Sequence, residues 1–212
     1  MIKRDFIVIE GNIGAGKTSL TNMIGDEFNA QIILERFADN PFLPKFYDDK
    51  DRYSFPLELS FLADRYNQLK DEITSRDLFS SFTIADYYFM KSLIFSKSTL
   101  SKDEYALYRQ LFDIIYQSVP KPDLYVYLHV SVEKLLWNIQ MRGREYEKNI
   151  SSDYLLSIQE GYFDFFKKIS DLSFLIIDIN QIDFVNNIDE YRHLQDLILN
   201  RTYPKGITRE IL

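Results

Sequence analysis

The sequence predicts an open, doubly wound α/β fold built on a parallel sheet, and three observations carry that expectation. Short apolar, β-branched runs alternate with longer stretches of helical periodicity. The first run leads into Gly11-Asn12-Ile13-Gly14-Ala15-Gly16-Lys17-Thr18, a full match to the phosphate-loop pattern G-x-x-x-x-G-K-[ST]. A helical segment follows at once, so the loop lies between strand and helix as the pattern requires. Three of only 7 glycines, Gly11, Gly14 and Gly16, fall inside this loop, which points to a local backbone need.

Each element can be justified in turn. Phe6 to Glu10 is an unbroken apolar run closed by an acid, the mark of a strand covered on both faces. After the loop, Leu20, Ile24 with Met23, and Phe28 share one helical face. Gln31 to Glu35 reads as a second strand, and Tyr53 to Ile73 as a helix with Phe61, Leu62, Tyr66, Leu69 and Ile73 at helical spacing. Leu78 to Ala85 is a third strand, followed by a helix that carries Lys91. From Asp103 to Val119, Tyr108, Leu111, Phe112, Ile115, Tyr116 and Val119 recur at three and four, until Pro120 and Pro122 stop the helix. Asp123 to Val130 is a fourth strand. Ser131 then caps a helix in which Val132, Leu135, Leu136 and Ile139 share a face and Glu133 meets the favourable end of the helix dipole. Asp153 to Ile169 is a further helix, Phe174 to Asp178 a fifth strand, and Ile188 to Leu199 the last helix. The tail from Arg201 to Leu212 gives no signal. Five parallel strands flanked by helices result, with the ligand site expected at the carboxyl ends of the strands. The two long helices around the third strand exceed what a crossover needs and are expected to wall a cleft.

Composition narrows the chemistry. With 212 residues the chain suits one domain, 1–212. Hydrophobic residues at 46% and charged ones at 27% describe a folded chain. No apolar run approaches the roughly 18 residues of a membrane span, and the stretch after Arg4-Asp5 is too short for a signal peptide, so a cytoplasmic location is expected and no membrane partner. The absence of cysteine excludes disulfides, zinc thiolates and thiol nucleophiles, and His129 and His193 are too few for most histidine metal sites. Lys plus Arg minus Asp plus Glu is 25 − 32 = −7, which argues against holding a nucleic-acid polymer by its phosphates. A small anionic ligand remains compatible where positive charge is gathered locally.

The loop supplies such a place. Backbone N–H groups from Gly11 through Asn12, Ile13, Gly14, Ala15 and Gly16, with the helix N-terminus behind them, can wrap phosphates; Lys17 reaches the β and γ phosphates, and Thr18 offers a hydroxyl to Mg²⁺. A nucleoside triphosphate and Mg²⁺ are therefore expected. The guanine-reading Asn-Lys-x-Asp and the switch Asp-x-x-Gly of GTPases are absent. An ATPase motor would need an apolar strand ending in acids, and Ile176-Ile177-Asp178 offers only a weak case at the last strand. More distinctive are Leu34-Glu35-Arg36, the run Pro122-Asp123-Leu124-Tyr125-Val126-Tyr127-Leu128, and Gln140-Met141-Arg142-Gly143-Arg144-Glu145-Tyr146-Glu147.

In their order and spacing these features resemble the deoxyribonucleoside kinases, the group of deoxycytidine, deoxyguanosine and bacterial deoxyadenosine kinases, over nearly the whole chain. The resemblance implies a P-loop kinase fold with a short arginine-bearing lid at about 142–152, ATP as phosphate donor, Mg²⁺, a small-molecule deoxynucleoside acceptor and a homodimer. It implies that Glu35 takes the proton from the substrate 5′-hydroxyl, that Arg142 and Arg144 close over the transferred phosphoryl group, and that Glu147 with Tyr47 binds the sugar 3′-hydroxyl. Glu58 stands where the family usually has a base-reading glutamine. As an ionised acceptor it suits a base edge with an exocyclic amine, guanine best, with adenine or cytosine needing a water or a protonated Glu58. The resemblance further implies that Arg65 orients Glu58 and that Phe95 stacks under the base.

The chain also departs from the family. Where many members carry Glu-Arg-Ser or Asp-Arg-Ser, the segment reads Ile84-Ala85-Asp86-Tyr87-Tyr88; Asp86 can supply the metal carboxylate, but the arginine is missing, and Lys91 and Arg36 are the cations that could compensate. Asn138 stands where the first lid arginine is common. Plainer readings stay open: Glu35 as a surface acid paired with Arg36, Arg142 and Arg144 as a solvated helix end, and Phe95 as core. A thymidylate-type monophosphate kinase would need extra acceptor-site arginines, for which Arg36, Arg52, Arg65 and Arg76 are candidates. A non-catalytic ATP-binding module is the rival of another class.

Overall fold

The structure, a computed structural model, describes residues 2–36, 40–74 and 79–212. In chain order it runs β1 (Phe6–Gly11), α1 (Lys17–Phe28), β2 (Gln31–Ile33), α2 (Leu43–Asp48), α3 (Lys50–Thr74), β3 (Thr83–Ala85), α4 (Lys91–Thr99), α5 (Lys102–Tyr116), β4 (Leu124–His129), α6 (Val132–Arg142), α7 (Ser152–Lys168), β5 (Ser173–Asp178), α8 (Ile188–Asn200) and β6 (Gly206–Ile211). A single 3₁₀ turn, Glu145–Glu147, lies between α6 and α7. The strands form one sheet ordered β2-β3-β1-β4-β5-β6, and every pairing is parallel.

β4 shows why the sheet is buried on both sides. Leu124, Val126 and Leu128 face a layer built with α1, α6 and α8, through residues such as Leu20, Leu135 and Leu194. Tyr125 and Tyr127 face the opposite layer, where α4, α5 and α7 contribute Ile94, Phe112, Tyr162 and Phe166. One layer is mainly aliphatic and the other strongly aromatic, yet both exclude water from the backbone ladder. In the aromatic layer the ring centroids of Phe166 and Phe174 lie 4.8 Å apart and those of Tyr127 and Tyr162 4.9 Å apart, within the usual range of attractive aromatic pairs.

The α/β class and the parallel sheet are as expected, but the sheet has six strands rather than five. The sixth comes from the tail, where Gly206–Ile211 pairs with β5 from Ser173↔Gly206 to Asp178↔Ile211. Its residues alternate between half-buried and exposed, as suits an edge strand, so it lacks the continuous apolar run that marks the central strands. β2 ends at Ile33, two residues short of expectation. β3 covers Thr83–Ala85, and its expected start at Leu78 lies outside the described residues. The six-residue helix α2, too short for a periodic signal, was not expected. Among the described residues no helix is long and apolar enough to cross a membrane.

This topology gathers the chemistry at one edge. β1 lies between β3 and β4, so the chain crosses from one side of β1 to the other after β3 and leaves a crevice at the strands' carboxyl ends. The loop after β1, the segment after β2 and Asp86 after β3 meet there, and Asp86 N–H donates to the Ile33 carbonyl at 3.1 Å.

Candidate active site

The glycine loop is shaped by its neighbours. Gly14 and Gly16 adopt φ of 84° and 83°, a region that favours glycine. A Cβ on Gly14 would lie 3.0 Å from Ile139 Cγ1 and from the Leu135 carbonyl, and one on Gly16 would lie 3.0 Å from the Phe184 ring. The loop is tied down by Asn12, whose amide donates to the Leu155 carbonyl at 2.7 Å, and by Asn138, whose amide donates to the Gly14 carbonyl at 2.8 Å. Asn138 therefore braces the loop where a lid arginine was thought missing. Gly16 caps α1 without any side-chain hydrogen bond, so the first-turn N–H groups stay directed toward a loop ligand. Lys17 Nζ donates to the Asn12 carbonyl at 2.8 Å. Burial, then repulsion from Lys91, pulls its ammonium down to about 8.

Asp86 links three parts of the site. Its Oδ2 accepts from the Thr18 hydroxyl at 2.5 Å and its Oδ1 from Glu35 N–H at 2.8 Å. Two hard oxygen donors beside a phosphate loop fit Mg²⁺, which keeps several waters and takes few protein ligands. Among the described residues there is no larger cluster of acids and histidines that could hold a metal ion.

Glu35 points inward. Arg65 donates to its Oε1 through Nε at 2.9 Å and Nη2 at 2.7 Å, and Lys91 Nζ lies 2.5 Å from Oε2. Arg36 turns away to Glu72 at 2.9 Å and is mostly exposed, which removes the surface pairing with Glu35. Burial alone would raise the Glu35 carboxyl, but Lys91 and Arg65 outweigh it and hold it near 2. Arg65 gives its remaining Nη1 to the Ser92 hydroxyl at 2.8 Å, so the arginine expected to orient Glu58 serves Glu35 instead. The reason is electrostatic: a desolvated carboxylate claims the nearest cations. Lys91, buried to 7% exposure, stands on Glu35 opposite Arg65.

Glu147, also buried, gathers both arginines of the expected lid. Arg142 donates to its Oε2 through Nη2 at 2.5 Å and Nε at 3.1 Å, and Arg144 Nη1 lies 3.3 Å from Oε1. Gly143 ends α6 at φ 70° and lets the chain turn back so that the two arginines converge. Lys17, Thr18, Glu35, Tyr47, Glu58, Arg65, Asp86, Phe95, Arg142, Arg144 and Glu147 all line one cavity. Its apolar wall comes from α2 and α3 through Leu43, Phe46, Leu57 and Phe61. Phe95 lines the cavity with the Lys91 ammonium 5.2 Å from its ring centre, so it is not simply core.

Glu58, 3% exposed, takes one hydrogen bond from the Thr99 hydroxyl to Oε1 at 2.9 Å, while its Oε2 is buried without a partner. Burial pushes its carboxyl up to about 7, with Arg65 and Thr99 offsetting only part. Sequence reasoning missed Thr99, Tyr154 of the cavity wall, and Glu10. Glu10, fully buried in β1, accepts from Tyr88 N–H at 2.9 Å and from the Tyr162 hydroxyl at 2.8 Å, and so ties the loop strand to the segment carrying Asp86 and Lys91. Its place at the end of an apolar strand was the available signal.

The family model described as deoxynucleoside kinase matches residues 7–202. The chain belongs to the deoxynucleoside kinase family. Members are ATP-dependent phosphotransferases, and this kinase is 37% identical over 92% of its length to a deoxyguanosine kinase of Bacillus subtilis (strain 168), covering 98% of that protein. It is 30% identical to a deoxyadenosine/deoxycytidine kinase of the same organism, over 92% of each chain. A solved structure of deoxyadenosine kinase from M. mycoides, with the products dCMP and a flexible dCDP bound, superposes with a TM-score of 0.77 at 24% identity, over 92% of this kinase and 98% of that chain. That likeness agrees with the fold.

Proposed function

We propose that this kinase transfers the γ-phosphoryl of ATP to the 5′-hydroxyl of a purine deoxynucleoside, deoxyguanosine or deoxyadenosine, with deoxycytidine a weaker acceptor. The observation that carries this reading is the lining of one cavity, which brings together Lys17, Arg142 and Arg144, the phosphate end of this reading, and Glu58 with an unpartnered oxygen, its base end. Named relatives that act on deoxyguanosine and deoxyadenosine support it.

In this reading the loop amides and Lys17 hold the phosphates, and Arg142 with Arg144 moves from Glu147 onto the transferred group. Thr18 and Asp86 would hold Mg²⁺, which when bound neutralises charge on the phosphate oxygens. Glu35 receives the 5′-hydroxyl proton. Held near 2 it is a weak base, but it is fully ionised and fixed in place, which suits phosphoryl transfer, where positioning outweighs proton removal. Glu147 and Tyr47 take the 3′-hydroxyl, Phe95 stacks on the base, and residues 142–152 act as the lid of a single domain. The protein works in the cytoplasm as a homodimer, a state supported by Leu107 and Ile114, which lie two turns apart on α5 and expose 51% and 71% of their surface.

A monophosphate kinase is disfavoured by the fate of its candidate arginines. Arg36 and Arg52 do not line the cavity, Arg65 is committed to Glu35, and Arg76 lies outside the described residues. A non-catalytic module gives no role to Glu35 and Asp86 beside the loop. A coupled ADP-release assay across deoxyguanosine, deoxyadenosine, deoxycytidine, thymidine and thymidine monophosphate tests the choice. Turnover should be highest with the two purine nucleosides; turnover with the monophosphate alone overturns the reading.

A further inference from the structure

Glu58 offers its two oxygens unequally. Oε1 already accepts from the Thr99 hydroxyl at 2.9 Å, whereas Oε2 is buried and, among the described residues, unpartnered. The titratable and charged groups around it come from every element packed there. Arg65 shares α3, Glu35 follows β2, Lys91 comes from α4, Tyr108 from α5 and Tyr154 from α7, with Tyr47 of α2 in the same cavity. The Tyr108 hydroxyl donates to the Glu58 backbone carbonyl at 3.3 Å and leaves the carboxyl alone. Arg65 and Lys91 are both spent on Glu35 at hydrogen-bond distance. No cation therefore fixes Glu58 in its ionised form, and burial favours the neutral acid.

The two purines present different edges. Guanine offers two adjacent donors, its ring N–H and its amine, whereas adenine offers a ring acceptor beside an amine donor. A carboxylate can only accept; a carboxylic acid donates once and still accepts. We propose that Glu58 selects the purine by its protonation state, taking deoxyguanosine as the carboxylate and deoxyadenosine as the acid, with Thr99 keeping the exchangeable proton on Oε2. The proposal rests on the reading of Glu58 as the base contact.

With guanine bound, Oε2 and the free lone pair of Oε1 accept both donors. With adenine bound, the Oε2 proton goes to the ring nitrogen and Oε1 accepts from the amine. Thr99 contributes because its hydroxyl occupies one lone pair of Oε1 and stabilises the ionised form. The Phe95 carbonyl at 3.1 Å and the Ser96 carbonyl at 3.5 Å compete with Oε1 for the single hydroxyl hydrogen, and Oε1 is the nearest of the three acceptors.

The test is the ratio of kcat/KM for deoxyguanosine over deoxyadenosine, measured on the full chain with ATP and Mg²⁺ from about pH 5.5 to about pH 9. Titrations at the phosphate end, Lys17 included, act on both substrates and cancel in the ratio. The ratio should fall at least ~10-fold from the alkaline to the acid end, because each pH step below the midpoint removes about nine-tenths of the carboxylate. Glu58→Gln should give a ratio independent of pH that favours deoxyadenosine. Thr99→Val, nearly isosteric, should move the midpoint of the parent's transition to higher pH. A flat ratio in the parent, with both nucleosides phosphorylated, overturns the proposal and leaves the kinase reading intact; so does a pH-dependent ratio that survives in Glu58→Gln. Phosphorylation of neither nucleoside overturns the kinase reading itself.

Discussion

The carboxylates proposed to serve the phosphate end and the base end of the cavity are held in opposite ways. At the phosphate end Glu35 has Arg65 and Lys91, and Glu147 has Arg142 and Arg144. At the base end Glu58 is also buried, but among the described residues its carboxyl takes a hydrogen bond from the Thr99 hydroxyl alone. Burial raises a carboxyl in both places; paired cations hold Glu35 near 2, while Glu58 rises to about 7. The difference teaches that burial alone does not set the charge of a site. In the proposed reading, permanent charge is stabilised where the phosphoryl group would be handled, and a titratable group is left where the neutral base would be read.

The comparison can be broken or sharpened by substitution, beginning at the phosphate end. Lys17→Met should lower kcat by about 10³-fold, because it removes a charge aimed at the transferred group, and steady-state kinetics measure it. Lys91→Met should cost about 10²-fold in kcat/KM. It should also raise the acid limb of the pH profile, since Glu35, freed from one cation, climbs from about 2 toward the ordinary carboxylate range and must still be ionised to work. An unmoved acid limb would separate Lys91 from the state of Glu35. Glu147→Gln should raise KM for the nucleoside about 10-fold, while KM for ATP does not rise, because the lid arginines lose a competing carboxylate.

The smallest effect lies at the base end and is one of stability. The Glu58 carboxyl, raised to about 7 in the folded chain, contributes stability that is present below the ordinary carboxylate value and is lost as pH rises through about 7. Glu58→Gln cannot ionise, so the variant's Tm relative to the parent should become more favourable between pH 5 and pH 8, by about 2 to 4 °C for each kcal/mol. Thermal unfolding at the two pH values measures it.

Much of this arrangement was legible in the residues themselves. The loop, the place of Glu35 just beyond the second strand and the turn carrying Arg142 and Arg144 follow from local pattern. The unread parts depend on contacts distant in sequence. Lys91 meets Glu35 across 56 positions, and nothing around it marks a lysine as buried. Arg65 was matched to Glu58 through the family resemblance, yet it binds Glu35 across 30 positions. Asn138 read as a lost arginine until the fold placed its amide on the Gly14 carbonyl. β6 went unseen because an edge strand with one wet face carries no continuous apolar run.

The most direct test of the central claim is single-turnover phosphorylation of deoxyguanosine by the parent and by Glu35→Gln, with nucleoside binding measured alongside. The product should be deoxyguanosine 5′-monophosphate, formed at least ~10²-fold more slowly by the variant at nearly unchanged nucleoside affinity. Turnover in Glu35→Gln close to that of the parent would contradict the claim.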